Sequence, residues 1–109
     1  MNEIDMSTNE SERVEWWLAT LGRTLVWARM SVREAGTAAV FDSDGNTLVY
    51  DSEDSARAAL MDAEFVAFDG LDEEDALARG FSLDEITPPR ARDDEQLREH
   101  MVQKLGSRA

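Results

Sequence analysis

The stretch T24-L-V-W-A-R-M-S-V-R33 decides the fold, because its apolar residues alternate with a period of two. This alternation is typical of a β-strand with one wholly apolar side. A strand of this kind needs neighbours in a sheet and a covering layer for its apolar side. The alternate positions that are all apolar are Val26, Ala28, Met30 and Val32.

Two further strands are predicted directly after this one. Residues 34–36 form a turn and residues 37–42 a second strand. Residues 43–46 contain Asp44-Gly45, a dipeptide that indicates a hairpin when strand residues flank it, and residues 47–51 follow as a third strand. Short connections of this kind predict an antiparallel meander.

Helices are predicted to cover the sheet. The first runs from Ser11 to a stop at Gly22, since its apolar residues fall at helical spacing. A second helix begins after an N-cap at Ser52 and ends near Asp62. Its narrow stripe of alanine and leucine residues is expected to face the sheet. The apolar positions of the first helix are Val14, Trp17, Leu18 and Leu21.

The remaining segments are shorter. Residues 64–68 fit either a fourth strand or a buried linker, and Asp72 is predicted to cap a brief acidic helix that ends at Gly80. Apolar residues beyond it are expected to pack back onto the core: Phe81, Leu83 and Ile86.

We therefore predict an α+β fold with an antiparallel sheet of three or four strands. Residues 1–9 form a flexible N-terminus and residues 10–89 the domain, which closes at Pro88-Pro89. Residues 90–109 are expected to be a loosely attached tail, helical or disordered, because its apolar seam is thin. The seam consists of Leu97, Met101 and Leu105.

Composition limits the class of protein. A chain of 109 residues and 12.2 kDa with 42% hydrophobic residues forms one domain and has enough apolar residues for a core. The absence of cysteine excludes disulfide scaffolds and thiolate chemistry. The start of the sequence is acidic and lacks the pattern of a secretory signal, and no apolar run has the length of a membrane span, so we expect a cytoplasmic location.

The charge is strongly and unevenly acidic. The formal net charge is −13, and residues 34–89 hold 15 acidic residues against two arginines. Such a field repels phosphate backbones and anionic lipid, which argues against direct binding of nucleic acid or membranes. It attracts basic proteins, so we expect a basic protein partner.

The hairpin around Asp42 resembles two known motifs. Its sequence F41-D-S-D-G-N-T-L48 is similar to the first motif of the haloacid-dehalogenase phosphatases, a resemblance that implies a nucleophilic aspartate and magnesium. Asn46 interrupts that motif, and the only lysine, Lys104, lies in the tail. Turn chemistry accounts for the same residues, so we do not assign a phosphatase.

The same residues partly match a calcium-binding loop. Asp42, Asp44 and Asn46 occupy its first, third and fifth positions, and Glu53 its twelfth. Thr47 stands where that loop requires glycine, and no helix precedes it. Weak divalent-ion binding stays open as a third function, but an EF-hand is excluded.

No catalytic constellation is evident. The single histidine, His100, lies in the predicted tail, where no scaffold positions it for catalysis. Close pairs of carboxylates arise by chance among 24 acidic residues, so no pair identifies a general acid or base. We therefore expect a chain that is not an enzyme and has no cofactor.

The leading hypothesis is a non-enzymatic protein-binding module of the inhibitor, immunity or DNA-mimic type. Its alternative is a structural or housekeeping domain whose acidity only keeps it in solution. Trp16 is included in the candidate site as an aromatic contact, because interfaces favour exposed tryptophan; a second contact between helix and sheet would bury it equally well. The candidate partner-binding residues are Trp16, Asp51, Glu53, Asp54, Asp62, Asp69, Asp72, Glu73, Glu74 and Asp75.

Overall fold

The computed structural model describes residues 13–105 as a six-stranded antiparallel sheet with short helices on both faces. The predicted flexible residues 1–9, and the first residues of the predicted N-terminal helix, lie outside this range. The elements in chain order are β1 (Arg13–Leu21), β2 (Thr24–Val32), β3 (Ala38–Phe41), β4 (Thr47–Tyr50), α1 (Glu53–Asp62), β5 (Val66–Ala67), α2 (Glu73–Ala78), a 3₁₀ helix (Leu83–Glu85), α3 (Asp94–Arg98) and β6 (Val102–Lys104).

The predicted N-terminal helix is wrong, because its residues form β1. This strand pairs with β2 along its whole length, from Arg13 opposite Val32 to Leu21 opposite Thr24. Gly22 is not a helix stop but the first residue of the tight turn between them, with φ of +62°. Both faces of β1 are covered, so the consecutive residues Trp17 and Leu18 are both buried. Two adjacent apolar residues of this kind are also typical of the buried side of a helix, which explains the wrong prediction.

The long strand β2 forms the centre of the sheet. One of its edges is paired entirely with β1, and the other edge is shared by β3 and β6. The outer strand β4 pairs with β3, and β5 pairs with β1, which gives the order β4-β3-β2-β1-β5. The sheet therefore has more strands than the three or four predicted, although the meander from β2 to β4 is confirmed.

Helix α1 covers one side of the sheet, which we call the α1 face. Ala56 and Leu60 of the helix pack there with Trp17 and Met30. The N-cap predicted at Ser52 is confirmed, since its side chain accepts a hydrogen bond from the amide of Ser55 at 3.1 Å. The apolar side predicted for β2 is this face.

The C-terminal third of the described chain covers the opposite side, which we call the tail face. Leu18 and Trp27 of the sheet lie at its centre, and the apolar residues after α2 pack onto them as predicted. The loosely attached tail, in contrast, is wrong. The seam residues of the tail are buried in this cluster: Leu97, Met101 and Leu105.

Backbone pairing explains why the tail is integrated. Strand β6 pairs with Thr24–Val26, and the amide of Trp27 donates to the carbonyl of Met101 at 2.8 Å. An ion pair between Arg29 and Asp94 at 3.1 Å adds a second connection. A single compact α+β domain therefore extends past the predicted boundary at residue 89, through residue 105.

Candidate functional site

The structure divides the predicted acidic surface into two groups. Adjacent residues of a strand point to opposite faces, and Trp17 and Leu18 belong to separate core clusters. Helix α1 packs in the cluster of Trp17, whereas Ala76 of α2 packs in the cluster of Leu18. The acids of α1 and those of α2 therefore lie on opposite sides of the sheet, and they do not form one continuous patch.

Glu53, one of the predicted partner-binding acids, is engaged within the molecule. Its carboxylate accepts a hydrogen bond from Arg13 at 2.9 Å and another from the Nε atom of Arg57 at 3.1 Å. Glu15 of β1 accepts from the same two arginines, at 2.8 and 2.6 Å, and from the indole of Trp17 at 3.2 Å. We call these four charged residues the clasp: Arg13, Glu15, Glu53 and Arg57.

The clasp shifts the pKa of Arg13, Glu53 and Arg57. Hydrogen bonds from Arg13 and then Arg57 lower the pKa of Glu53, because they stabilise the ionised carboxylate. The hydrogen bond to Glu53 raises the pKa of both arginines. The clasp holds β1 against α1 with two positive and two negative charges, so Glu53 contributes little to an outward negative surface. The sequence does not predict the clasp, because its pattern indicates a helix for Arg13 and Glu15, and the contact depends on their position in β1 beside α1.

The acids around α2 point outward. Asp72 caps the helix by accepting from the amide of Asp75 at 2.8 Å, which confirms the predicted N-cap. Glu73 accepts a hydrogen bond from the hydroxyl of Ser82 at 3.1 Å. The remaining members, Asp69, Glu74 and the side chain of Asp75, are exposed, and no ion pair within residues 13–105 engages them. The nearest base is Arg79 at the end of α2, which donates to the backbone carbonyl of Asp75 at 3.2 Å and not to a carboxylate.

Three predicted acids lie around α1. Asp51 and Asp54 are exposed at its start, between the end of β4 and the first helical turn, and Asp62 is exposed at its end. The helix separates Asp62 from the other two by about two turns, because each turn takes 3.6 residues. Asp51 and Asp54 therefore lie next to the edge strand β4 and apart from Asp62.

Trp16 is not an exposed aromatic contact. Its ring meets Trp27 edge to face, with 5.9 Å between the ring centroids, and its side chain is half-buried against the tail-face cluster. Its carbonyl accepts a hydrogen bond from the amide of Phe68 at 2.9 Å. Trp16 thus contributes to the core.

The Asp42 hairpin uses its polar groups internally. The Oδ1 atom of Asp42 accepts from the amides of Asp44 and Asn46, both at 3.0 Å, and Gly45 has φ of +88° as the turn predicts. This is the geometry of a three-residue hairpin loop with glycine in the left-handed region. No group of three or more histidine or carboxylate side chains within residues 13–105 has metal-site geometry.

Two open clefts lie on the α1 face, with volumes of about 150 and 260 Å³. They share Ala63 and Phe65 at the end of α1, and their walls are mostly apolar. Asp42 and Glu64 are the charged residues on them. His100 is exposed after α3, away from both clefts.

Comparisons with protein-family models, curated proteins and solved structures found no match. Within the described range, no helix has the length and apolar character to cross a membrane.

Proposed function

We propose that this chain is a non-enzymatic protein-binding module that presents exposed carboxylates to a basic partner protein, as inhibitors, immunity proteins and DNA mimics do. The observation that supports it is the contrast between two sets of acids. In the clasp, arginines neutralise Glu15 and Glu53, whereas Asp69, Glu74 and Asp75 have no such partner among the described residues. Charges left without internal partners steer the approach of oppositely charged proteins.

Part of this acidity has a local cause. Acids in the first turn of a helix stabilise it by about 0.3–1 kcal/mol each, and Glu74 and Asp75 occupy that turn of α2. Asp69 precedes the helix, so the helix dipole does not account for it. If these acids form a binding surface, reversing their charge weakens binding of the partner. If they only stabilise the start of α2, the same reversal changes stability and not binding.

The test uses two double charge reversals that change the net charge equally. E74K/D75K alters the α2 surface, and E34K/E95K alters exposed acids outside the predicted site. The partner is first captured from the native host by the immobilised wild-type chain at low salt, and is then purified. Asp93 and Asp94 are unsuitable as controls, because Asp93 caps α3 and Asp94 pairs with Arg29.

We expect E74K/D75K to slow association with the partner by about tenfold at low salt, and E34K/E95K to leave it nearly unchanged. Circular dichroism and thermal melting establish that both variants fold. Equal losses in both variants would mean that net charge alone attracts the partner. Capture of no basic protein would instead support a structural or housekeeping domain.

A further inference from the structure

Strand β4 is an open edge of the sheet. Among residues 13–105 it pairs only with β3, from Ala38 opposite Tyr50 to Phe41 opposite Thr47. The opposite edge of the sheet, β5, is only two residues long. An edge strand presents a row of backbone donors and acceptors on which another strand can pair.

The hairpin geometry identifies which backbone groups point outward. The amide of Asp42 donates to the carbonyl of Asn46 at 3.0 Å, so these residues form a hydrogen-bonded pair. Hydrogen-bonded and non-hydrogen-bonded pairs alternate along an antiparallel ladder, so Leu48 and Tyr50 direct their backbone groups to β3. Thr47 and Val49 direct theirs away from the sheet.

The side chains of β4 suit a docking edge. Leu48 is 55% exposed and Val49 63% exposed, and as neighbours in a strand they lie on opposite faces of the sheet. Natural edge strands use charged residues or proline to prevent pairing, and β4 contains neither. This is notable in a chain in which 32% of the residues are charged.

The flanks of β4 are acidic. Asp44 is exposed in the hairpin before it, and Asp51 is exposed directly after it, followed by Asp54 in the first turn of α1. The guanidinium of Arg98 also lies against Gly45, but these three acids outnumber it, so the flanks of β4 have a net negative charge. An apolar strand with such flanks complements an extended segment that has an apolar centre and basic ends.

We propose that β4 is a docking edge at which an extended, basic-flanked segment of a partner protein adds as a further strand of the sheet. The new strand pairs with the outward backbone groups of Thr47 and Val49, and its lysine or arginine side chains approach Asp44 and Asp51. This inference rests on the proposed function, since it specifies how the basic partner binds.

Charge argues against two other occupants. A second copy of this chain, paired symmetrically about Leu48, sets Asp51 of each copy opposite Gly45 of the other, beside both Asp44 and Arg98, so the repulsion comes from the net charge of −13 on each copy. The chain's own first twelve residues contain four acids and no base, so the same repulsion applies to them.

The experiment measures binding of labelled synthetic peptides by fluorescence anisotropy. The peptides have about eight residues, with varied apolar centres and lysine at both ends. Each peptide is also made in two N-methylated forms. In one form the amides of the odd-numbered residues are methylated, and in the other form those of the even-numbered residues, so that each form blocks one edge of the peptide strand. Only one register of amides can face β4, so we expect one form to lose at least about tenfold in affinity and the other to bind like the parent.

Variants of the protein test the same contact from the other side. Val49→Pro removes an outward amide and leaves the hydrogen bonds to β3 intact, whereas Val49→Thr retains the amide and serves as the control. We expect V49P to weaken binding about tenfold or more and V49T to bind like the wild type. Thermal melting establishes that both fold, and the N-methylated peptides give an answer that does not depend on any variant.

Four outcomes would overturn the proposal. They are equal binding of the two N-methylated forms, no binding by any lysine-flanked peptide, self-association of the chain that V49P abolishes, and tighter peptide binding after deletion of residues 1–12. None of them removes the proposed function, whose test uses the partner captured from the host and the α2 variants. If that partner binds V49P normally but not E74K/D75K, the edge proposal fails and the proposed function stands.

Discussion

The guanidinium of Arg98 lies directly against Gly45, so the end of α3 contacts the hairpin between β3 and β4. A β-carbon added at Gly45 would lie 2.8 Å from the Nη1 atom of Arg98 and 3.1 Å from its Cδ atom. Gly45 therefore meets two requirements at once, a left-handed φ of +88° and a close approach by a side chain.

Gly45→Ala is expected to lower the free energy of unfolding by about 1–2 kcal/mol, mainly because alanine is strained at positive φ. Arg98 is flexible enough to move aside, so most of this cost should persist in an Arg98→Ala background. Urea denaturation of the four chains of this double-mutant cycle measures both effects. Full recovery of stability in the double variant would show that the clash dominates.

Met101→Ala is expected to lower the free energy of unfolding by about 2–5 kcal/mol, because Met101 is fully buried on the tail face. Removal of all residues after Pro89 deletes Leu97, Met101 and Leu105 together, so we expect the truncated chain not to fold. His100→Ala, at an exposed neighbouring position, serves as the control, with a change within about 0.5 kcal/mol. A truncated chain with the melting temperature of the full chain would contradict the observed packing.

Glu53→Gln is expected to destabilise the domain near neutral pH and to matter less in acid. The pKa of Glu53 is lowered in the folded state, so its contribution is present above its unfolded pKa and is lost as the pH falls through the folded value. Urea denaturation of wild type and E53Q at neutral pH and at about pH 3, below the ordinary pKa of glutamate, gives the two differences. A difference that grows in acid would contradict the clasp as described.

Trp16→Ala is expected to lower the free energy of unfolding by about 1–3 kcal/mol, less than the loss of a fully buried tryptophan, because its ring packs on Trp27 but is only half-buried. Thermal melting measures this effect. Trp16→Phe retains an aromatic edge and should recover part of the loss. If W16A melts like the wild type but fails to bind the partner, Trp16 is an interface residue after all.

The sequence predicted the parts of the fold that local chemistry determines. Ser52, Asp72 and Gly45 each act through their immediate neighbours, so two helix starts and one hairpin could be read from single residues. The N-terminal strand could not, because burial on both of its faces places Trp16, Trp17 and Leu18 in a row. Only the pairing with β2 shows that Gly22 belongs to a turn.

The sequence shows which acidic residues are available for a binding site, but not how the fold arranges them. A count of acids cannot show that α1 and α2 lie on opposite faces, or that Arg13 and Arg57 neutralise Glu53. The openness of β4 likewise depends on which strands lie beside it. These properties arise from contacts between residues that are distant in sequence.

The division of one edge of β2 between β3 and β6 has a consequence for the order of folding. The hairpins of β1 with β2 and of β3 with β4 connect near neighbours in the chain, whereas Thr24 must find Lys104 across most of the described sequence. Closing so long a loop costs more entropy, which delays such pairings. During synthesis on the ribosome, Thr24–Val26 therefore stays without its second neighbour until residues 102–104 have emerged. We expect the amides of β6 to be the last in the sheet to gain protection from hydrogen exchange during refolding.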